Sequence, residues 1–83
     1  MKVNIKYFAS IREGLGQSGE QRDTSATTLA ALRDELLTVS PLHAAALARG
    51  KAVRMALDHV MREESAALTE GCEVAFFPPV TGG

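Results

Sequence analysis

Hydrophobic and polar residues alternate at the start of the chain. In residues 2–8, Val3, Ile5 and Tyr7 occupy every second position, and polar residues stand between them. A period of two is typical of a strand that buries one face. Phe8 departs from the pattern, because it places an aromatic ring on the polar side. This segment therefore predicts a half-buried strand that ends in an outward-facing ring.

A hairpin is predicted to follow this first strand. Residues 13–19 contain three glycines, which mark a turn. Residues 20–25 predict a second strand, although this segment is very polar. The chain is thus expected to form two successive strands before its main helix.

The pattern then changes to a helical period. Four aliphatic residues recur at spacings of three, four and three, which forms one stripe of an α-helix: Leu29, Leu32, Leu36 and Val39. Thr27 or Thr28 can supply the side-chain oxygen that caps the start of this helix. Ser40 precedes Pro41, and a residue before proline avoids the α region, so the helix is predicted to stop there.

The middle of the chain predicts a short helical piece and two strands. Residues 41–49 favour a short helix that Gly50 closes. Residues 52–58 alternate with a period of two, which predicts a third strand. A turn and a short fourth strand at residues 60–62 are expected to follow.

The last strand is predicted at residues 73–77, after a polar connection at residues 63–71. Val74 and Phe76 should point inward and Phe77 outward. The resulting order is β-β-α-β-β-β around one longer helix. It predicts an α+β domain in which a mixed sheet packs on one main helix, and 83 residues allow only one such core.

The composition narrows the kinds of partner and location. A net charge of −1 argues against a nucleic acid or an anionic membrane surface as the partner. No apolar stretch is long enough to span a bilayer. Cys72 is the single cysteine, so no internal disulfide can form. Because the first residues show no signal-peptide pattern, the expected location is the cytoplasm.

The chain carries no recognisable catalytic or cofactor motif. A phosphate loop, GxGxxG and HExxH are all absent from the sequence. His43 and His59 have no second histidine or cysteine nearby, so each is interpreted as a surface or partly buried histidine. The acidic pair Glu63 and Glu64 is interpreted as part of a solvated loop. We therefore expect no bound metal and no bound cofactor.

The C-terminal segment carries the strongest functional signal. Pro78 and Pro79 favour an extended backbone, and six residues can reach roughly 20 Å. Gly82 and Gly83 lack a Cβ, so they could thread a narrow channel in a partner. A terminal carboxylate must be activated before it reacts, and without an ATP site the chain needs a separate enzyme for this. Residues 78–83 thus predict a group-carrying tail, and the alternative interpretation is a frayed terminus.

The same residues resemble a known family. Residues 75–83 read Ala-Phe-Phe-Pro-Pro-Val-Thr-Gly-Gly, which is similar to the C-terminal signature of the molybdopterin synthase small-subunit family. Residues 8–13 and 68–71 resemble that family's first-strand ending and its last turn. The resemblance implies a ubiquitin-like β-grasp domain at residues 1–77 and an extended sulfur-carrier tail at residues 78–83.

The resemblance also implies a mechanism. A ubiquitin-activating-like adenylyltransferase would use ATP to adenylate Gly83, and a sulfur donor enzyme would convert it to a thiocarboxylate. Gly82, which has no side chain, would let the end of the tail pass through a narrow channel. The tail would then enter the large, catalytic subunit of molybdopterin synthase and give sulfur to cyclic pyranopterin monophosphate in molybdenum cofactor biosynthesis. Two copies of each subunit would form a heterotetramer, in which the small subunit is the sulfur-donating co-substrate.

A partner-binding surface follows from the same resemblance. Phe8, Met61 and Phe77 match the family's hydrophobic contact surface, and Arg12 matches an arginine near it. The alternation pattern independently places Phe8 and Phe77 on the polar side of their strands, as expected of a protein-binding face. The tail adds four residues to the expected partner contact: Pro78, Pro79, Val80 and Thr81.

Three other functions stay open at this point. Sulfur carriers of thiamine or cysteine synthesis also end in Gly-Gly, but they usually lack the Pro-Pro-Val-Thr approach. A ubiquitin-like modifier would be joined to lysines of other proteins. A non-covalent interaction module would keep its function without Gly82 and Gly83.

Overall fold

The computed structural model describes residues 1–79, which form strands and helices in one chain segment. The strands are β1 (Lys2–Tyr7), β2 (Gly19–Asp23), β3 (Arg54–Leu57), β4 (Val60–Met61) and β5 (Glu73–Phe77). The helices are α1 (Ala9–Leu15), α2 (Leu29–Leu37) and α3 (Pro41–Ala46). All the predicted strands are confirmed, with slightly different ends.

The strands form one mixed sheet in the order β2-β1-β5-β3-β4. β1 and β5 run parallel in the centre, and the other neighbouring pairs are antiparallel. Parallel strands cannot be joined by a tight turn, so most of the chain lies between these two. Pro78 and Pro79 therefore follow a strand that has a neighbour on each side.

One face of the sheet packs on α2 to form the core. The sheet contributes seven buried side chains to this core: Val3, Ile5, Tyr7, Met55, Leu57, Val74 and Phe76. Leu29, Leu32 and Leu36 of α2 are fully buried in the same core. Burying one such aliphatic side chain contributes about 2 kcal/mol. The predicted α+β architecture, a mixed sheet packed on one main helix, is confirmed.

The first connection contains a helix that the glycine pattern does not predict. Residues 13–19 indicate only a turn, yet α1 begins just after β1 and extends into this segment. Ile11 and Leu15 are four positions apart, so both lie on one helix face and are buried. Gly16 ends α1 with a left-handed φ of 72°, and its N–H donates to the carbonyl of Arg12. The prediction of a plain hairpin turn was therefore wrong.

The helix α2 is shorter than its predicted stripe. Thr28, one of the two candidate caps, accepts a hydrogen bond from the Ala31 N–H at 3.1 Å. The helix ends at Leu37 with Thr38 as its C-cap. Val39 consequently lies beyond the helix and is 39% exposed. Its inclusion in the buried stripe was wrong, because the chain turns before the next buried position.

The connection between β4 and β5 is less polar than predicted. Ala66 and Leu68 are buried in the core. The backbone of this segment also pairs with the start of α2, since the Leu29 N–H donates to the Ala66 carbonyl at 3.1 Å and the Leu68 N–H to the Thr27 carbonyl at 2.9 Å. The prediction of a polar connection was wrong for these residues, which close one end of the core.

Arg33 is a buried cation on α2. Its Nε donates to the carbonyl of Leu47 at 2.9 Å, and its Nη2 donates to the carbonyl of Ala48 at 2.8 Å. Its Nη1 forms an ion pair with Glu64 at 3.1 Å. A buried charge is tolerated when it is paired and fully hydrogen-bonded. The guanidinium therefore joins α2 to the chain after α3 and to the chain before β5.

Replacing Arg33 with Met should lower the free energy of unfolding by about 2–3 kcal/mol, because buried carbonyls would lose their donors. Urea denaturation measures this change. The matched control is Arg62→Met, because the Arg62 side chain is exposed. That variant should stay within about 0.5 kcal/mol of wild type. Equal stability of Arg33→Met and wild type would contradict the assignment.

A second polar cluster joins β1, β2 and α3. Glu20 Oε2 accepts from the Tyr7 hydroxyl at 2.8 Å and lies 2.9 Å from His43 Nε2. Because an ionised carboxylate can only accept, Nε2 donates in this pair. His43 Nδ1 lies 2.8 Å from Ser40 Oγ, which also caps α3 by accepting from the His43 N–H. His43 is therefore buried rather than at the surface, and it has a structural role.

The contacts of this cluster shift two pKa values. Burial and the hydrogen bond to Glu20 raise the pKa of Tyr7 above its ordinary value. Burial alone would raise the pKa of Glu20, but hydrogen bonds from His43 and Tyr7 outweigh it and lower that pKa. Folding therefore favours the ionised form of Glu20, which stabilises the folded state.

The free energy of unfolding should decrease as the pH falls through the acid range, in part because of Glu20. Its pKa is lower in the folded state, so its stabilisation is complete above the ordinary value of about 4.3 and is lost as the pH falls through the folded pKa. Glu20→Gln should flatten this part of the curve, measured by urea denaturation between about pH 6 and pH 3.

The control for this pH series is Glu13→Gln, at an exposed position of α1. Its curve should follow that of wild type. A Glu20→Gln curve as steep as that of wild type would show that Glu20 does not contribute.

Candidate functional site

The C-terminal tail starts at the end of the central strand β5. Phe76 is fully buried, and its ring stacks on Tyr7 with centroids 6.1 Å apart. The Phe8 N–H donates to the Phe76 carbonyl at 3.2 Å, which continues the parallel pairing to the end of the strand. Pro78 and Pro79 follow at half-buried positions and restrict the backbone. We call these two prolines the tail root. They follow directly after a strand that is paired to its end.

On the sheet face away from α2, side chains of neighbouring strands lie in rows next to the end of β5. In the pairing of β3 with β5, Phe77 stands opposite Arg54 and Ala75 stands opposite Ala56. In the pairing of β3 with β4, Met61 stands opposite Ala56. Directly opposite residues share a face of the sheet, and alternate residues on a strand share it too. The register therefore brings Phe77 and Met61 to the same outer face.

Three large apolar side chains near the tail root form what we call the docking patch: Phe8, Met61 and Phe77. Phe8 is 44% exposed, Met61 is 56% exposed and Phe77 is partly exposed. Ala56 on β3 and Ala75 on β5 stand opposite each other, and their small side chains lie on the same face. The predicted outward orientation of Phe8 and Phe77 is confirmed. Apolar side chains exposed together on one face are typical of a protein-binding surface.

Val60 is a further exposed apolar residue that the sequence analysis did not single out, and the register places it on the opposite face of the sheet from the docking patch. It is 58% exposed, although it pairs with the buried Leu57. A period of two predicts that one of the two β4 residues is buried, but β4 lies at the edge of the sheet. Both of its side chains therefore face solvent. Only the strand order shows this, so the sequence carried no clear signal for Val60.

Arg12, the predicted polar neighbour of the patch, lies one helical turn after Phe8. Its N–H donates to the Phe8 carbonyl at 3.3 Å at the start of α1. Arg12, Phe8 and Lys6 line one open hollow over β1. The side chain of Arg12 is exposed. The structure thus places Arg12 beside Phe8, one of the three residues of the docking patch.

The remaining predicted site residues are the tail root itself and the four residues after it. Pro78 and Pro79 belong to the described chain, immediately after β5. Four predicted site residues lie outside the described residues: Val80, Thr81, Gly82 and Gly83. The predicted carrier chemistry at Gly83 therefore lies outside them as well.

Residues 1–79 contain few groups that could form a different kind of functional site. Over this range no group of three or more His, Cys, Asp or Glu side chains is arranged to hold a metal ion. The Cys72 thiol is free and buried. Among the helices of the described chain, none has both the length and the apolar character needed to cross a membrane. The candidate site is therefore the docking patch with the tail root.

Curated proteins of known name align with nearly the whole chain. It is 36% identical over 81 residues to the molybdopterin synthase sulfur carrier subunit of Haemophilus influenzae, which covers 98% of this chain and 99% of that protein. It is 37% identical over 81 residues to the Escherichia coli protein of the same name, with coverages of 98% and 99%.

Solved structures share the fold. SAMP1 from Haloferax volcanii matches with a TM-score of 0.78 at 24% identity, over 100% of both chains. A chain in the complex of subunits 1 and 2 of molybdopterin-converting factor from Helicobacter pylori matches with a TM-score of 0.70 at 23% identity, over 100% of both chains. At these identities the likeness establishes the fold alone, the expected ubiquitin-like β-grasp. Residues 5–83 match one family along their whole length, and the chain belongs to this family, the ThiS family.

Proposed function

We propose that this chain is the sulfur carrier subunit of molybdopterin synthase and that Gly83 carries the sulfur as a thiocarboxylate. The observation that carries the proposal is the sequence of residues 75–83, which ends in Pro-Pro-Val-Thr-Gly-Gly. Two curated relatives with this name align with nearly the whole chain, which supports it. The position of the tail root beside the docking patch supports it further, because a partner could hold both at once.

The proposed chemistry begins with an unreactive group. A terminal carboxylate has a pKa of about 3.5, so it is ionised and a poor electrophile at neutral pH. A separate adenylyltransferase joins the Gly83 carboxylate to the AMP part of ATP, and pyrophosphate leaves. A sulfide equivalent from the donor enzyme then displaces AMP at the acyl carbon and leaves the thiocarboxylate. The chain itself binds no cofactor in this scheme.

The tail delivers the sulfur into the large subunit. Residues 1–77 act as the compact carrier domain, and residues 78–83 reach roughly 20 Å when extended. Gly82 has no Cβ, so the last residues fit a narrow channel. The sulfur passes to cyclic pyranopterin monophosphate, and two such transfers complete the dithiolene that later holds molybdenum. The small subunit contributes the sulfur, and the large subunit contributes the active site.

The large subunit is the proposed partner at the docking patch. The fold shared with a chain of the Helicobacter pylori subunit 1 and 2 complex supports a partner of this kind. Phe8, Met61 and Phe77 supply its apolar contact, Arg12 a charged one, and Pro78 to Thr81 the start of the inserted tail. We propose a heterotetramer with two copies of each subunit, and a cytoplasmic location for the cycle.

Incubating the protein with its adenylyltransferase, ATP and the sulfur donor enzyme should replace one carboxylate oxygen of Gly83 with sulfur. Intact-mass spectrometry should then show a gain equal to the difference between one sulfur and one oxygen atom. A variant that lacks Gly83 is the control, and the sulfur-bearing product at residue 83 should be absent from it. No gain in the full chain would contradict the carrier function.

The thiocarboxylated protein also separates the alternatives. With the large subunit it should convert the pterin precursor, whereas a carrier of thiamine or cysteine synthesis should not. A ubiquitin-like modifier would instead accumulate as isopeptide-linked conjugates in cell extracts. Abundant conjugates together with no pterin conversion would replace the proposed function with that one.

Met61→Lys should weaken the affinity for the large subunit at least about tenfold, because it buries a charge in an apolar contact. Isothermal titration calorimetry measures the dissociation constant. Val39→Lys is the control, since Val39 is an apolar residue that is 39% exposed beyond the end of α2, away from the docking patch and the tail root. The control should bind within about threefold of wild type. Equal losses in both variants would show that the docking patch is not the contact.

A further inference from the structure

A small apolar hollow lies between α1 and α3, next to the tail root. We call it the helix hollow, and its wall includes Ile11, Gly14, Leu42, Ala46, Val53 and Pro78. Its volume is about 160 Å³. Pockets for substrates and cofactors usually measure about 300–1,000 Å³, so the helix hollow suits a single aliphatic side chain better than a small-molecule ligand. Leu42 is 57% exposed in this wall, so an apolar side chain there would cover surface that is now open to water.

Gly14 keeps the helix hollow open. It belongs to α1, and a Cβ added there would meet the Cβ of Ala46 at 3.8 Å, which is an ordinary contact distance. Its backbone has no positive φ, so neither conformation nor crowding requires a glycine at this position. Glycine is less favourable than alanine within a helix. The missing side chain therefore weakens α1, and what it leaves is apolar space between the two helices.

The register of β3 with β5 relates the helix hollow to the residues that follow the tail root. Continued past the ends of these two strands, the antiparallel register sets Val53 opposite Pro78. Both residues line the helix hollow, which is consistent with this pairing. Two positions further along, the same register sets Lys51 opposite Val80. Lys51 also lines the helix hollow, so the wall already contains the residue that would face Val80.

Val80 has the reach and the chemistry to fill this space. It stands two residues after Pro78, and two residues of extended chain cover about 7 Å. Alternate side chains of an extended chain point to the same side, so the side chain of Val80 would follow the ring of Pro78 towards the helices. The isopropyl group of valine is small and apolar, as the size and the wall of the helix hollow require. The aliphatic stem of Lys51 can lie over it while the ammonium group stays in water.

We propose that the side chain of Val80 occupies the helix hollow in the free chain and leaves it when a partner takes up the tail. The inference goes beyond the proposed function, because it concerns the chain before any partner binds. Burial of one small aliphatic side chain is a modest contact, so a partner that binds the tail can displace it. The free carrier thus holds the first residue after the tail root against its own domain.

The test is NMR spectroscopy of the free full-length chain with labelled methyl groups. The methyl groups of Val80 should show nuclear Overhauser effects to those of Leu42 and Ala46. Gly14→Leu places a side chain in the helix hollow, so these effects should be lost. Glu13→Leu is the matched control, because it adds the same side chain at an exposed position of α1 outside the hollow. The control should keep the effects, and thermal unfolding checks that both variants are folded.

A second variant does not alter the helices. Val80→Asp puts a charge where the wall is apolar, so the aspartate should leave the helix hollow. The methyl resonances of Leu42 and Ala46 should then shift. The methyl resonance of Met61, in the docking patch, should stay where it is in wild type.

Several results would overturn the inference. The first is a wild-type chain in which Val80 shows no contact with the helix hollow, and the second is contacts that persist in Gly14→Leu. Contacts found only between two differently labelled chains would assign the hollow to a second copy instead. No contact in the free chain, together with weaker binding of Gly14→Leu to the large subunit, would assign it to the partner. None of these measurements involves sulfur transfer, so their failure leaves the proposed function standing, and a failure of thiocarboxylation leaves the inference standing.

Discussion

The parallel pairing of β1 with β5 is the constraint on which the rest of the domain depends. It brings the first and last strands of the described chain side by side. The elements between these strands must therefore fold within the loop that the pairing closes. On the helix side it stacks Tyr7 on Phe76 in the core. On the outer side it places Phe8 next to the strand that carries Phe77. Because the paired segments are far apart in sequence, their contact has a large entropic cost of closure and requires the core between them to form. The same pairing thus fixes both the packing and the candidate site.

Two polar clusters hold the helices in the positions that this pairing leaves open. Arg33 binds carbonyls of the chain after α3, and Glu20 connects Tyr7 of β1 with His43 of α3. Among residues 1–79, each buried side-chain nitrogen and oxygen finds a hydrogen-bond partner. Buried polar groups of this kind add little net stability when compared with apolar packing, but an alternative arrangement would leave them without partners. They therefore favour one arrangement of the short helices over others.

The sequence revealed the strands well because a period of two relates directly to burial in a sheet. It did not reveal α1, which is too short to form alone and depends on contacts with the core. It also extended the helical stripe to Val39, since periodicity does not show where the chain turns. At the candidate site, Phe8 and Phe77 were visible as aromatic residues that break or oppose the alternation. The exposure of Val60 could not be predicted from the alternation alone, because it depends on the position of β4 at the edge of the sheet.

The docking patch and the tail root occupy the same side of the domain. A protein that holds the chain at Pro78 and Pro79 also covers Phe77, so the carrier can accommodate one such protein at a time. In the proposed cycle one enzyme loads the carrier and another unloads it, so the first complex would have to dissociate before the second forms. Under this proposal, the rates at which the carrier dissociates from its partners would limit how fast sulfur is transferred. Very tight binding to either enzyme would slow the whole cycle.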